Sequence, residues 1–225
     1  MSIASFNLHW GGTAGGTSQY DVGDACRRLD ADVRVFQEVW DSPQAPSQLW
    51  VPDDFTVVEL EHATFERSGV GVGTWSLVLA TRFTVMETRS FILRGHGSDQ
   101  RRAALGCRLD TGAGEVWVVA VHLTTHHLPL GSLRQLRSLV PQLPTDAPTI
   151  LAGDHNQWTL PARLVLGQGW VHSPRGPTWP ARFPVFQIDH IWGRGFEVVG
   201  AEVAPDVGSD HRPIVAELVR SCADR

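Results

Sequence analysis

Thr149-Ile150-Leu151-Ala152-Gly153-Asp154-His155-Asn156 is an apolar run that stops abruptly on a carboxylate, an imidazole and an amide. Four apolar-to-small residues bounded by turn formers read as a short buried strand. A strand end holds an atom more precisely than a mobile loop, so it is a common place to set a rigid catalytic group. Working outward, the same arrangement recurs in five more places. Asn7 closes Ile3–Leu8, Gln37-Glu38 closes Val33–Gln37, and His122 lies at the end of Val116–Leu123. Asp189 sits in Gln187–Trp192, and Asp210-His211 stands just before Pro213–Leu218.

Further strands are predicted at Phe55–Leu60, Leu77–Thr81, Val85–Ile92, Ala103–Leu109 and Glu197–Val203, several rich in Val and aromatics. Helical signals are fewer. Asp21–Leu29 follows an Asp cap, Ser42-Pro43 opens a short helix toward Trp50, and Thr159–Leu166 reads as another. The clearest is Ser132–Leu143, where Leu133, Leu136, Val140 and Leu143 form one apolar face and Arg134 and Arg137 turn outward. Many strands with a few helices between them predict an α/β fold of two packed sheets flanked by helices, in one domain over residues 1–225. The Gly11–Gly16 stretch fits neither phosphate-loop nor dinucleotide spacing, and the Pro-rich segments Pro141–Pro148 and Pro174–Pro184 read as ordered surface loops.

Composition narrows the chemistry. The chain is 42% hydrophobic and 19% charged, ordinary for a soluble globular protein, and no stretch nears the roughly 20 apolar residues of a membrane span. No secretory signal or lipid anchor is evident, which makes the cytoplasm the expected location. Cys26, Cys107 and Cys222 are odd in number and far apart, so they read as reduced thiols rather than a disulfide framework or zinc site. All 19 basic residues are arginine, which excludes Schiff-base chemistry and a P-loop lysine. With a net charge of −5 and no arginine run beyond two residues, there is no basic stripe for a long nucleic acid.

Taken singly, each polar strand end has an ordinary explanation. Glu38 reads as solvated, Asp154 and Asn156 as an Asx turn capping the next helix, His122 as a satisfied interior histidine, and Asp210-His211 as a turn. Six of them in one chain, in this order, are harder to dismiss. Ser5-Phe6-Asn7, Phe36-Gln37-Glu38, Val121-His122-Leu123, Gly153-Asp154-His155-Asn156, Ile188-Asp189-His190-Ile191 and Ser209-Asp210-His211-Arg212-Pro213 together resemble the motifs of the endonuclease/exonuclease/phosphatase superfamily. The resemblance covers about residues 2–218, nearly the whole chain. It implies a four-layer α/β sandwich of two packed, mostly antiparallel sheets flanked by helices, and a metal-dependent phosphoester hydrolase.

A phosphodiester repels anionic nucleophiles, and its leaving group departs with added negative charge. A divalent cation, Mg2+ or Mn2+, offsets both, and Mg2+ prefers carboxylate oxygens and retained waters. Glu38 is the best metal ligand on this reading, as the resemblance also implies; Asn7 supports the site, and Asp210 assists it or a second metal. Two residues compete as the base for the attacking water, Asp154 and His211. The preferred assignment makes His211 the general base or a transition-state stabiliser, oriented by Asp189. Asp154 and Asn156 then position the water and a phosphate oxygen, and His122 donates to the phosphate or protonates the leaving group.

Other residues weigh less. Arg101 and Arg102 could reach a phosphate but read as a solvated pair, and His126 and His127 likewise read as solvated. His9 stands where some family nucleases carry an acid, which argues against a second metal there. Strand alternation points His155 away from its neighbours, into packing. Trp158, Trp179 and Trp192 could stack on a base or sit against lipid, but core packing is the simpler expectation.

The chain is short for the family, acidic, and lacks the mid-chain tyrosine motif of the abasic-site enzymes; its one tyrosine is Tyr20. A small phosphodiester or phosphomonoester is therefore the expected substrate. A nuclease on DNA or RNA, or a catalytically silent binding module, is the alternative.

Overall fold

The structure is a computed structural model and describes residues 1–10, 20–67, 71–94, 102–125 and 129–221. In chain order the elements are β1 (Ser2–Asn7), α1 (Val22–Arg27), β2 (Val33–Asp41), β3 (Thr56–Arg67), β4 (Gly71–Thr81), β5 (Thr84–Ile92), β6 (Ala103–Asp110) and β7 (Glu115–His122). There follow α2 (Pro129–Leu139), β8 (Thr149–Asp154), α3 (Thr159–Leu166), β9 (Trp170–Ser173), β10 (Asp189–Arg194), β11 (Phe196–Val203) and β12 (Ile214–Arg220). They build two six-stranded sheets, ordered β11-β12-β1-β2-β4-β3 and β5-β6-β7-β8-β10-β9.

Each sheet is antiparallel except for one central pair. β1 runs parallel to β2, with Asn7 opposite Gln37, and β7 runs parallel to β8, with His122 opposite Asp154. A parallel pair needs a crossover, and α1 and α2 supply them. These strands are covered on both faces, which is why they read as unbroken apolar runs. Ile3, Val33, Val35, Leu77 and Leu79 meet Leu105, Leu109, Val118, Ile150 and Ile191 between the sheets. On the outer faces Phe6, Phe36 and Val78 pack on Val22, Cys26 and Leu29 near α1, while Val119, Val121 and Leu151 pack on Leu136, Leu139, Ala162 and Leu166 of α2 and α3. The four-layer sandwich expected from the sequence is therefore present, with thin helical layers.

Several expectations change. No helix forms after Ser42: its main chain and Oγ close a turn on Ala45, between two prolines that suppress helix. α2 ends at Leu139 and gives way to a 3₁₀ turn at Val140–Gln142, as Pro141 removes a helical donor. Its buried face is Ser132, Gln135, Leu136 and Leu139, rotated from the Leu133-Leu136-Val140 stripe, though Arg134 and Arg137 are exposed as expected. β9 was not foreseen in the sequence, and β3 and β4 form a longer hairpin arm than their apolar cores suggested. Cys26 and Cys107 are buried free thiols; Cys222, Gly11–Gly16, Arg101, His126 and His127 lie outside the described residues.

Candidate active site

The polar strand ends gather because both parallel pairs point the same way across the seam between the sheets. Backbone strain marks the place. Among the described residues, four that are not glycine have left-handed φ values: His9 (44°), Trp10 (62°), Glu38 (55°) and Asn156 (46°). Such conformations cost on the order of 1–3 kcal/mol each and cluster where function over-determines geometry. Glu38 owes its angle to a bulge between Phe36 and Val39 in β2, which turns its carboxyl toward the seam. Gly153 is required for a different reason: at φ 144° an added Cβ would lie 2.0 Å from the Val121 carbonyl oxygen. Only a residue without Cβ lets β8 approach β7 there. Gly208 (φ 109°) similarly passes against Tyr20, and the turn it allows brings Ser209 to donate to the Asn7 carbonyl at 2.7 Å.

The side chains form one network. His211 Nδ1–H donates to Asp189 Oδ2 at 2.9 Å, and the same oxygen accepts the Thr178 hydroxyl at 2.6 Å. His211 Nε2 then faces Asp154 Oδ2 across 3.8 Å. Asp154 accepts from the Asn156 backbone (2.8 Å), the Asn156 amide (3.0 Å) and the Asn7 amide (3.1 Å). Asn7 also reaches Glu38 Oε1 at 3.5 Å, and His122 Nε2 stands 3.6 Å from both Glu38 Oε1 and Asp154 Oδ2. Asp210 is held apart from this centre by His9 Nδ1 at 3.0 Å and by the indole of Trp179, which donates at 3.2 Å.

Burial sets the protonation states. It works to lower the His211 pKa, but the charges of Asp189 and Asp154 and the hydrogen bond to Asp189 outweigh it and push it up to about 10. His211 is thus an imidazolium at neutral pH. Burial raises both Asp154 and Glu38, opposed by the charge of His211 and, at Glu38, first by that of His9. His122 is driven well below 6.5 by burial and the nearby Arg102 charge, so its ring is neutral. Asp210 stays below its ordinary value because the His9 hydrogen bond and the His211 charge overcome its burial.

With four carboxyls against His211 and His9, the centre holds more negative than positive groups, which disfavours an anionic phosphoester unless a cation intervenes. The donor set fits such a cation. Glu38 Oε2 is buried without a hydrogen-bond partner, a costly state that a bound ion would relieve. A second grouping, with donor atoms of Asp154, Asp189 and His211 all within 4.8 Å of one another, could also hold an ion. There the carboxylates already accept several N–H and O–H groups, so Glu38 is the better anchor. Its oxygen donors suit a hard ion such as Mg2+ or Mn2+.

Of the residues singled out in the sequence, Asn7, Glu38, His122, Asp154, Asn156, Asp189 and His211 converge, and Asp210 lies at their rim. Arg102 is neither solvated nor aimed at the centre: it is buried and donates to the carbonyls of His122 and Leu123. His155 is buried behind β8, donating to the Gly153 carbonyl and packing on His190. Trp192 is core, whereas Trp158 is 59% exposed and Trp179 half-buried, against the expectation of packing. Thr178 joins the site without a mark in the sequence, since a threonine in a Pro-rich loop carries no periodic signal. Trp75, edge-on to His122 at 5.2 Å, precedes the strand expected at Leu77–Thr81 and carries no motif of its own.

Comparison with known proteins gives a consistent set of matches. A family model described as Endonuclease/Exonuclease/phosphatase family matches residues 4–211. Uncharacterized protein YbhP of Escherichia coli K12 is 23% identical over 97% of this chain and 96% of that protein. An endonuclease/exonuclease/phosphatase from Beutenbergia cavernae shares the fold with a TM-score of 0.77 at 22% identity, over 98% of this chain and 71% of that one. The D. rerio TDP2 structure complexed with single strand DNA product gives 0.68 at 17% identity, over 97% and 98%.

Proposed function

The chain belongs to the endonuclease/exonuclease/phosphatase family, and from that premise we propose that it is a metal-dependent phosphoester hydrolase acting on a small phosphodiester or phosphomonoester. The observation that carries the reading is the Asp189–His211–Asp154 line, with Glu38 beside it and one carboxylate oxygen unpartnered. Members of the family are generally phosphoester hydrolases of this kind, and the net charge of −5 favours a small substrate over a long nucleic acid.

Glu38, supported by Asn7, would hold a Mg2+ or Mn2+ ion, which when bound offsets phosphate charge and stabilises the departing oxygen. The substrate phosphorus sits near the gap between His211 Nε2 and Asp154 Oδ2. His211, already an imidazolium, donates its Nε2 proton as a hydrogen bond to a phosphate oxygen as charge builds there. Asp154 takes the proton of the attacking water, its basicity raised by burial. Asn7 and Asn156 fix the Asp154 carboxylate through their amides. His122 stays neutral and spaces Glu38 from Asp154. Between the two roles the sequence left open for His211, this assigns it the stabilising one.

An aryl phosphodiester assayed with Mg2+ or Mn2+ tests the reading. Turnover should disappear on chelation and fall at least about 10²-fold in His211→Ala and Asp154→Ala. A metal-induced thermal shift should vanish in Glu38→Gln. Turnover that survives both His211→Ala and Asp154→Ala would sink the proposal; a thermal shift with no turnover on any phosphoester would favour a silent binding module.

A further inference from the structure

Between Asp154 and Asp189 lie 34 residues without a single Asp or Glu, in a chain of net charge −5. They contain Arg163, Arg175 and Arg182, all exposed. The same segment carries Trp158, Leu160, Leu164, Phe183, Val185 and Phe186, each between 41% and 75% exposed. Ring stacking, the α3 turn and the Arg182–Phe183 contact link several of these groups. Leu160 and Leu164 are one turn apart on α3, whose opposite face buries Ala162 and Leu166 in the core. Trp158, just before α3, stacks on Phe186 with planes 7° apart, and Phe186 stacks in turn on Trp179. Residues 179 to 186 form a small hairpin closed by reciprocal backbone bonds between Trp179 and Phe186, and its turn presents Arg182, Phe183 and Val185. The row ends at the active site, because the Trp179 indole donates to Asp210.

Six large exposed apolar side chains in one segment exceed the scattered single residues of an ordinary surface. A nucleic acid would use the ring faces but leave Leu160, Leu164 and Val185 idle. Aliphatic groups beside Trp and Phe, in a segment that carries three arginines and no carboxylate of its own, fit a lipid–water interface with negative headgroups. We propose that this face docks on an anionic phospholipid surface and presents headgroup phosphodiesters to the site. The docking surface is read independently of the chemistry, but the choice of substrate rests on the hydrolase reading above.

Sedimentation with vesicles of phosphatidylcholine, with and without phosphatidylglycerol, tests it. The wild type should partition to the mixed vesicles. Phe183→Ser and Leu164→Ser should each weaken partitioning by about tenfold, the effect of withdrawing one buried apolar side chain, and Arg182→Glu should weaken it on the anionic vesicles alone. Hydrolysis of a water-soluble aryl phosphodiester should be unchanged in all three. Failure of the wild type to bind either vesicle overturns the proposal. So does light scattering that shows a dimer dissociated by Phe183→Ser, or single-stranded DNA binding lost in the same variants while vesicles are ignored. Soluble turnover without vesicle binding would remove the surface and leave the hydrolase. Vesicle binding with no turnover on any phosphoester would do the reverse.

Discussion

Replacing Asp189 by Asn removes one charge with almost no change of shape, and so isolates what that carboxylate does for His211. The pair is 2.9 Å apart and almost wholly buried, with Thr178 fixing the same oxygen. Asp189 is the largest influence raising the His211 pKa, which stands at about 10 against an ordinary 6.5. Even half of that rise, at 1.36 kcal/mol per unit, is about 2 kcal/mol of preference for the imidazolium. Without it His211 loses its proton near neutrality, the Nε2 hydrogen bond to the developing phosphate charge weakens, and ring orientation is no longer fixed. The expected cost is about 10²–10⁴-fold in kcat with KM little changed. The pH profile adds a readout that mere loss of structure would not give. Between pH 6.5 and about 10, Asp189→Asn should lose activity at a lower pH than the wild type, because its His211 gives up a proton earlier, while the acid limb set by Asp154 is common to both. Initial rates on an aryl phosphodiester across that range, with the His211 ring titrated by NMR, measure both. A variant with kcat within about twofold of wild type, or with the His211 pKa unmoved, would refute the coupling.

Gly153→Ala should lower stability by about 3 kcal/mol or more, since its Cβ meets the Val121 carbonyl at 2.0 Å, while Gly112→Ala, with φ 73° but nothing within 4 Å, should cost only about 1 kcal/mol. Equal melting temperatures for the two variants would show that strand approach at Gly153 is not tight. Acid should unfold the protein early: burial lowers His190 to about 4 and His172 to about 3, and lowers His155 as well. Below pH 6.5 the unfolded chain takes up protons that these folded rings refuse, so stability falls with pH by up to about 1.4 kcal/mol per unit for each, partly offset by the raised carboxyls of Asp154 and Glu38. His211 acts in the opposite sense, its stabilisation complete below 6.5 and lost as pH rises through about 10. Chemical denaturation of the metal-free protein at several pH values checks both slopes, and a flat acid limb contradicts the neutral histidine cluster.

What could be read in the sequence follows from which strands are covered on both faces. β1, β2, β7 and β8 sit mid-sheet between the common core and a helix, so their apolar runs and polar ends stand out. Glu38 was legible as a residue but not as a geometry, because a bulge leaves no mark in the alternation of side chains. Thr178 was illegible because its position against Asp189 is made by a loop packing on β10. The helix expected after Ser42 does not form because Pro43 and Pro46 outweigh its capping chemistry, and Trp158, expected in the core, is exposed because composition does not encode which side of a cap a ring takes.

The site also depends on a step no local pattern encodes. Asn7 and Glu38 belong to one sheet, whereas His122, Asp154 and Asp189 belong to the other. The 3.1 Å bond from Asn7 to Asp154 therefore crosses the seam, as do the contacts of His122 with Glu38. Glu38 and His211 come from one sheet, His211 on the loop into β12, whereas the carboxylates that face and orient that imidazole, Asp154 and Asp189, come from the other. The apolar surface between them, from Ile3 and Val35 to Val118 and Ile150, sets how closely these two halves approach. The geometry of the candidate site is thus a property of sheet docking, and a cavity opened in that core should misalign Glu38 and His211 against Asp154 and Asp189 before it unfolds the chain.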